Sequence, residues 1–372
     1  MSVLVTGVSF ENRGAELLLH AASEAVSTWG PGYEPVASWR CGSTRQRSGA
    51  GVGTHVSVRQ AEPFSHVGLG LLPAALRRRA GLSVDGDLRA VLDAHGFLLS
   101  DQWGAAMAQR LLVRVLQWER RGVPLVMLPQ AFGPFEDPAV ASVAAQVVSR
   151  AELVCARDRA SLAHLEELGV QPRAGAFRLE PDITIGLHVE PRPTDAGDAP
   201  VVPNWNIAER ADASRRARYV DSLCAAVEEL RAAGARPYGL CHEGPADRAL
   251  LEEVDSRVGQ LPVVDGLSGL ECKALIAASR VLVAGRFHAC VSALSSGVPT
   301  VLHGWSHKYH ELAHDFAWSD QVADPYDPAA TARAVRQALT STGSAALSAR
   351  AQDQAAAVAR LWQDVRAAVV RG

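Results

Sequence analysis

Two short runs carry the groups best placed to do chemistry. In RVLVAGRFHACVSALSSGVPTVLHGWSHK, residues 280–308, Arg286 and His288 stand where an apolar strand ends and a helix begins. A helix N-terminus presents unpaired N–H groups and a partial positive charge. An arginine and a histidine added there suit an anion. The same two residues read equally well as an arginine closing a sheet and a hydrogen-bonded core histidine. In AELVCARDRASLAHLEELGV, residues 151–170, Arg157 again falls between a strand end and a helix start. It is a second candidate anion clamp, with Asp158 as the cap of the following helix.

A different chemistry is suggested by LRAVLDAHGFLLSDQWG, residues 88–104. Asp93 ends a strand, and His95, Asp101 and Trp103 follow. Carboxylates beside an aromatic face suit the hydroxyls and ring of a sugar; alternatively, Asp101 simply caps the helix expected from Gly104 to Arg121. Gln130 ends the buried strand of GVPLVMLPQAFGPF, residues 122–135. Near the start, Asn12 and Glu16 lie between the strand VLVTGV and an amphipathic helix. They line a ligand site, as loops at strand C-termini do in open parallel sheets, or they are a helix cap and a surface carboxylate. The loop is neither GxGxxG nor a P-loop.

These groups require an alternation of strands and helices. Strand–helix pairs recur along the chain, and HVEPRPTDAGDAP, residues 188–200, has a linker's composition. The expectation is an α/β protein of two Rossmann-like domains, 1–190 and 198–372, with parallel sheets facing a cleft. In detail, LEPDITIGL (179–187) and VVPNWN read as strands, and 209–235 as one long helix. RCGSTRQRSGAGVGTH (40–55) reads as a mobile loop, and VGLGLLPAALRRRAGL (67–82) as a helix with a solvated basic face.

Composition narrows the class. The 372 residues are 48% hydrophobic and carry a net charge of −3, so no basic field points to nucleic acid. No apolar run reaches the ~18 residues of a membrane span, although peripheral membrane contact stays open. MSVLVTGVSF lacks the parts of a signal peptide. Six scattered cysteines in apolar surroundings read as buried thiols of a reducing cytoplasm. No redox cofactor or metal motif is suggested; His303, His307 and His310 read as polar surface of a loop and short helix.

Taken together, the runs resemble the polysaccharide pyruvyl transferase family. GRFHACVSALSSGVPTVLHGWSHK is similar to that family's G-x-R-x-H, its G-V-P and a lysine some twenty residues on. VLVTGVSFENRGAELLL, LPQAFGPF, CARDRASLAHLEELGV and CHEGPAD are similar to further family segments, in the family's order over nearly the whole chain. Two segments depart from it: Gly14-Ala15-Glu16 replaces the usual Gly-Asp-Glu, and DAHGFLLSDQWG replaces a G-G-G strand end.

The resemblance implies a GT-B-like arrangement and a transferase of cell-surface carbohydrate biosynthesis. The donor would be phosphoenolpyruvate, and the acceptor a sugar, glycolipid or nucleotide-linked sugar. The product would be a ketal, with phosphate released. It further implies His288 and Lys308 as catalytic, with Arg157, Arg286, Phe287, His288 and Lys308 at the donor. Asn12, Glu16, Asp93, His95, Asp101, Trp103 and Gln130 are the acceptor-side candidates. A histidine's ordinary pKa near 6.5 suits an acid at neutral pH, and arginine's planar fork suits carboxylate and phosphate. A GT-B-type glycosyltransferase using nucleotide sugars, and a non-catalytic binding relative, are the alternatives.

Overall fold

A computed structural model describes residues 1–57, 70, 72–341 and 344–371. The chain forms two compact units. One consists of Met1–Phe10, Leu18–Ile183 and Ala357–Gly372, the other of Glu11–Leu17 and Thr184–Ala356.

Among the described residues, the first unit holds an eight-stranded parallel sheet. Its strands are β1 (Ser2–Thr6), β2 (Glu34–Ser38), β3 (Gly53–Val56), β4 (Leu82–Val84), β5 (Leu88–Asp93), β6 (Leu125–Gln130), β7 (Leu153–Ala156) and β8 (Arg178–Leu179). They run in the order β4-β3-β2-β1-β5-β6-β7-β8. Central strands such as VLV and LVMLPQ are buried along their whole length, as continuous apolar runs must be when helices cover both faces. Register pairs Leu4 with Val36 and with Val91, and Val91 with Leu125. Helices Gly104–Glu119 and Pro138–Val148 pack Leu112, Val115, Val143 and Val147 into this core.

Among its described residues, the second unit holds six parallel strands: β9 (Ala199–Val202), β10 (Pro237–Leu240), β11 (Val263–Val264), β12 (Leu282–Ala284), β13 (Thr300–His303) and β14 (Val322–Ala323). Their order is β11-β10-β9-β12-β13-β14. The strand–helix–strand unit expected at 280–308 is present as β12, helix Phe287–Ser295 and β13. Helices open on side-chain caps where a short polar residue allows it. Asp158 accepts from Ser161 N, Asp212 from Arg215 N, and Ser268 forms a capping box with Glu271.

Several local expectations are corrected. Residues 179–187 are not a strand: β8 stops at Leu179, and Ile183–Gly186 form a 3-10 turn that buries Ile183 and Ile185. β9 ends at Val202 because Pro203 has no N–H to continue the ladder. Asn204 then caps a short helix, Trp205–Glu209, and a second helix starts anew at Ala213 behind the Asp212 cap.

The 40–55 segment, expected as a loop, carries regular structure. It contains helix Thr44–Gly49 and β3, and buried Arg47 donates to the carbonyls of Trp39, Cys41 and Gly42. The basic helix at 67–82 lies partly outside the described residues. Its described part, Ala74–Arg79, has Arg77 buried against Asp87 instead of solvated. All six cysteines are buried free thiols.

Candidate functional site

Within the second unit the site is built on Gly285, between β12 and the helix Phe287–Ser295. Its carbonyl accepts from Asn204 Nδ2 (2.7 Å) and from the Tyr309 hydroxyl (2.6 Å). A Cβ here would lie 2.9 Å from both Ile207 Cδ1 and the Tyr219 hydroxyl, so the close approach requires glycine. This pins the turn that presents Arg286, Phe287 and His288.

Arg286 is buried and doubly engaged. Its Nε and Nη2 donate to the two oxygens of Asp247 at 2.9 and 2.5 Å, and Nη1 donates to Glu243. Asp247 is itself fixed, accepting from Trp205 N (2.9 Å) and Glu243 N (3.1 Å). Burial works against both charges. For Arg286 the hydrogen bonds and charges of Asp247 and Glu243 more than restore it, and it stays protonated. For Asp247 burial prevails over the pull of Arg286 and pushes the carboxyl above its ordinary range.

His288 is half-buried. Its ring meets that of Phe287 edge-on, at 5.5 Å between centroids. Lys308 opens the helix His307–Asp315, and its Nζ lies 5.2 to 5.6 Å from the rings of Trp305, Phe287 and Tyr309. Three aromatic faces thus hold the ammonium in place.

Residues 11–17 fold with this unit, although the sequence reading put them in the first domain. Asn12 caps the first helix, its Oδ1 accepting from Ala15 N (3.0 Å), while its Nδ2 donates to Glu243 (2.8 Å). Glu16 is buried rather than a surface carboxylate, accepting from Gly269 N at 2.9 Å and pairing with Arg13 at 3.0 Å. Of the expected residues, the second unit therefore contains Asn12, Glu16, Arg286, Phe287, His288 and Lys308.

It adds His242, Glu243 and Asp247, which sequence reasoning did not single out. His242 is 3% exposed, and its Nε2 has no hydrogen-bond partner among the described residues. Burial, and then the charges of Arg286, His288 and Arg13, push its pKa down to about 3. The available signal was the polar run CHEGPAD directly after a strand.

In the first unit Asp93, His95 and Gln130 come together. Asp93 is fully buried at the end of β5, hydrogen-bonded to His95 Nδ1 and accepting from Gln130 Nε2 at 3.0 Å. Burial opposes its charge, but His95, Gln130 and Arg114 outweigh this and hold its pKa below the ordinary carboxylate range. Asp101 does not cap its own helix. Its carboxylate accepts from Glu136 N (2.7 Å) and Asp137 N (3.3 Å), tying down another loop. Trp103 is 47% exposed. Arg157 is buried at the end of β7, its Nη1 3.5 Å from Asp182. His303, expected as polar surface, is instead buried on β13 with Nε2 3.2 Å from the Thr331 hydroxyl, because β13 is covered on both faces.

The profile of the polysaccharide pyruvyl transferase family matches residues 84–307. No curated protein matches the chain. Among solved structures, UDP-GlcNAc 2-epimerase from Neisseria meningitidis is similar with a TM-score of 0.60 at 10% identity, over 98% of this chain and 99% of that one. The UDP-GlcNAc 2-epimerase from Methanocaldococcus jannaschii gives 0.58 at 9% identity, over 92% and 93%. The spinosyn rhamnosyltransferase SpnG gives 0.51 at 15% identity, over 98% and 100%. At such identities the likeness shows the fold alone, two parallel-sheet α/β units of the kind found in GT-B-like epimerases and glycosyltransferases. The family match runs from the end of β4 to the start of the Lys308 helix and so includes Arg157, Arg286 and His288; by it the chain belongs to the polysaccharide pyruvyl transferase family and is a transferase.

Proposed function

We propose that the protein transfers a pyruvyl group from phosphoenolpyruvate to two hydroxyls of a sugar, forming a cyclic ketal and releasing phosphate. The enol carbon C3 takes a proton, and one sugar hydroxyl attacks C2. The bond from C2 to the phosphate oxygen breaks, and the second hydroxyl closes the ring. The two hydroxyl protons balance the one gained at C3 and the one leaving with phosphate. The observation that carries this reading is His288, half-buried two residues after the fixed Arg286 at a helix start, in a chain of this family.

In this reading His288 protonates C3 as general acid. Arg286, oriented by Asp247 and Glu243, and Lys308, held against its three rings, supply positive charge for the carboxylate and the departing phosphate. Phe287 excludes water beside the acid. Asn12 acts by positioning, since it donates to Glu243, a partner of Arg286, and Glu16 holds the start of a neighbouring helix through Gly269 N. Arg157 remains a donor-binding candidate on the first unit; Asp93, His95, Asp101, Trp103 and Gln130 remain acceptor candidates there. No helix among the described residues is long and apolar enough to cross a membrane.

The test is incubation with phosphoenolpyruvate and a panel of sugar, nucleotide-sugar and glycolipid acceptors, scoring phosphate release and product mass. A product heavier by a ketal-linked pyruvyl group is expected. Turnover of nucleotide sugars with phosphoenolpyruvate inert would instead establish a glycosyltransferase.

A further inference from the structure

The first unit contains a polar cavity of about 360 Å³. β1, β2 and β3 reach it with Thr6, Ser38 and His55, and the helix Gly104–Glu119 reaches it with Arg114. The pocket opens to solvent, and its lining mixes apolar side chains such as Leu4, Val8 and Trp118 with arginines, histidines and hydroxyls. The polar groups decide what an occupant must offer.

Three features define that occupant. The first is charge: Arg40, Arg114 and Arg121 face the cavity against a single lining carboxylate, Asp85, whose Oδ1 is already 3.1 Å from His55 Nε2. The second is Arg114 itself, which lies half-buried with its guanidinium stacked 4.9 Å over the Trp118 ring. Among the described residues it makes no hydrogen bond or ion pair. Burial pushes its pKa down, and the attraction of Asp93 and Asp85 does not cancel this. A guanidinium with unspent donors in such a place gains most from a bidentate anion. The third is the pair of histidines. His55 is 3% exposed, and its Nδ1 has no hydrogen-bond partner among the described residues. His95, also lining the cavity, is oriented through Nδ1 by Asp93.

We propose that this cavity binds a phosphorylated sugar, with Arg114 on the phosphate and His55 and His95 on the sugar hydroxyls. That this sugar is the pyruvyl acceptor rests on the function proposed above; the binding itself does not. The volume is at the lower end of the ~300–1,000 Å³ typical of small-ligand sites, which suits one sugar ring with its phosphate.

Calorimetric titration with glucose 1-phosphate, inorganic phosphate and glucose tests it on the full chain, with no phosphoenolpyruvate present. Glucose 1-phosphate is expected to bind at least tenfold tighter than either glucose or inorganic phosphate. Arg114→Gln should weaken it at least tenfold and Arg114→Lys less, while His288→Asn leaves it unchanged. Arg121→Gln, on an exposed residue, should weaken it severalfold and serves if the Arg114 variants unfold. Three results would overturn the proposal: no binding by the native protein, equal affinity for glucose, or loss of binding in His288→Asn alone. Binding of the sugar phosphate without phosphate release from phosphoenolpyruvate would count only against the pyruvyl-transfer reading.

Discussion

Gly14 lies directly against His288: a Cβ on residue 14 would stand 2.1 Å from the ring's Nδ1 and 2.7 Å from its Cγ. The first helix therefore sets where the proposed acid sits, and only a residue without a side chain permits that position.

Gly14→Ala is expected to displace the His288 ring while the backbone of the helix stays. A shift of about 1 Å in a reacting group costs on the order of 10²-fold. Turnover should fall by about that factor, with little change in melting temperature. Full activity in the alanine variant would mean that the ring's place does not matter to the chemistry.

For His288→Asn the expectation is a folded protein that keeps most of its phosphoenolpyruvate affinity. Turnover should drop by about two orders of magnitude or more, the usual range for loss of a positioned acid. Melting temperature and turnover measured on one preparation decide the point. A variant that is destabilised yet fully active per folded molecule would make His288 a packing residue.

Asp247→Asn removes the charge that answers buried Arg286. Breaking one side of a buried pair costs about 3–5 kcal/mol, and urea unfolding should register a loss of that order. The double variant Arg286→Met, Asp247→Leu should recover part of the stability and none of the activity. An unchanged urea midpoint in the single variant would show that Glu243 alone suffices for Arg286.

Acid should weaken the protein through two histidines. Burial pushes the pKa of His242 to about 3 and that of His303 to about 4. In the unfolded chain both return to ~6.5. Below that value the unfolded state binds protons that the folded state refuses, so stability falls as pH falls. Above it neither group is protonated and the contribution is flat. The slope is about 1.4 kcal/mol per pH unit for each histidine between pH ~6 and ~4. His303→Gln should roughly halve the slope in urea unfolding across this range. A stability independent of pH there would refute the assignment.

Much of this was legible in the chain. The apolar runs of β1, β6 and β12 and the polar residues at their C-terminal ends are local signals, because a buried parallel strand needs continuous apolar sequence and helix caps need short polar side chains. Arg286 and His288 could be picked out because they interrupt such a run at its end. Arg47 and Arg77 misled because a basic residue in a polar stretch ordinarily faces water. Here the carbonyls of Trp39, Cys41 and Gly42 pay the desolvation cost of one, and Asp87 that of the other. The strand expected at 179–187 failed because its alternating apolar residues suit a buried 3-10 turn as well.

By itself, then, the sequence determined the class of fold, the family and the order of the elements, since each depends on patterns within a few tens of residues. Tertiary structure alone decided which polar groups meet. Asn12 reaches Glu243 across 231 positions and Glu16 reaches Gly269 across 253. Arg286 finds Asp247 across 39. His55, Asp85 and Arg114 gather on one cavity from a strand, a turn and a helix. Such pairings leave no periodic trace, because a side chain's partner is set by how sheets and helices stack and not by its neighbours along the chain.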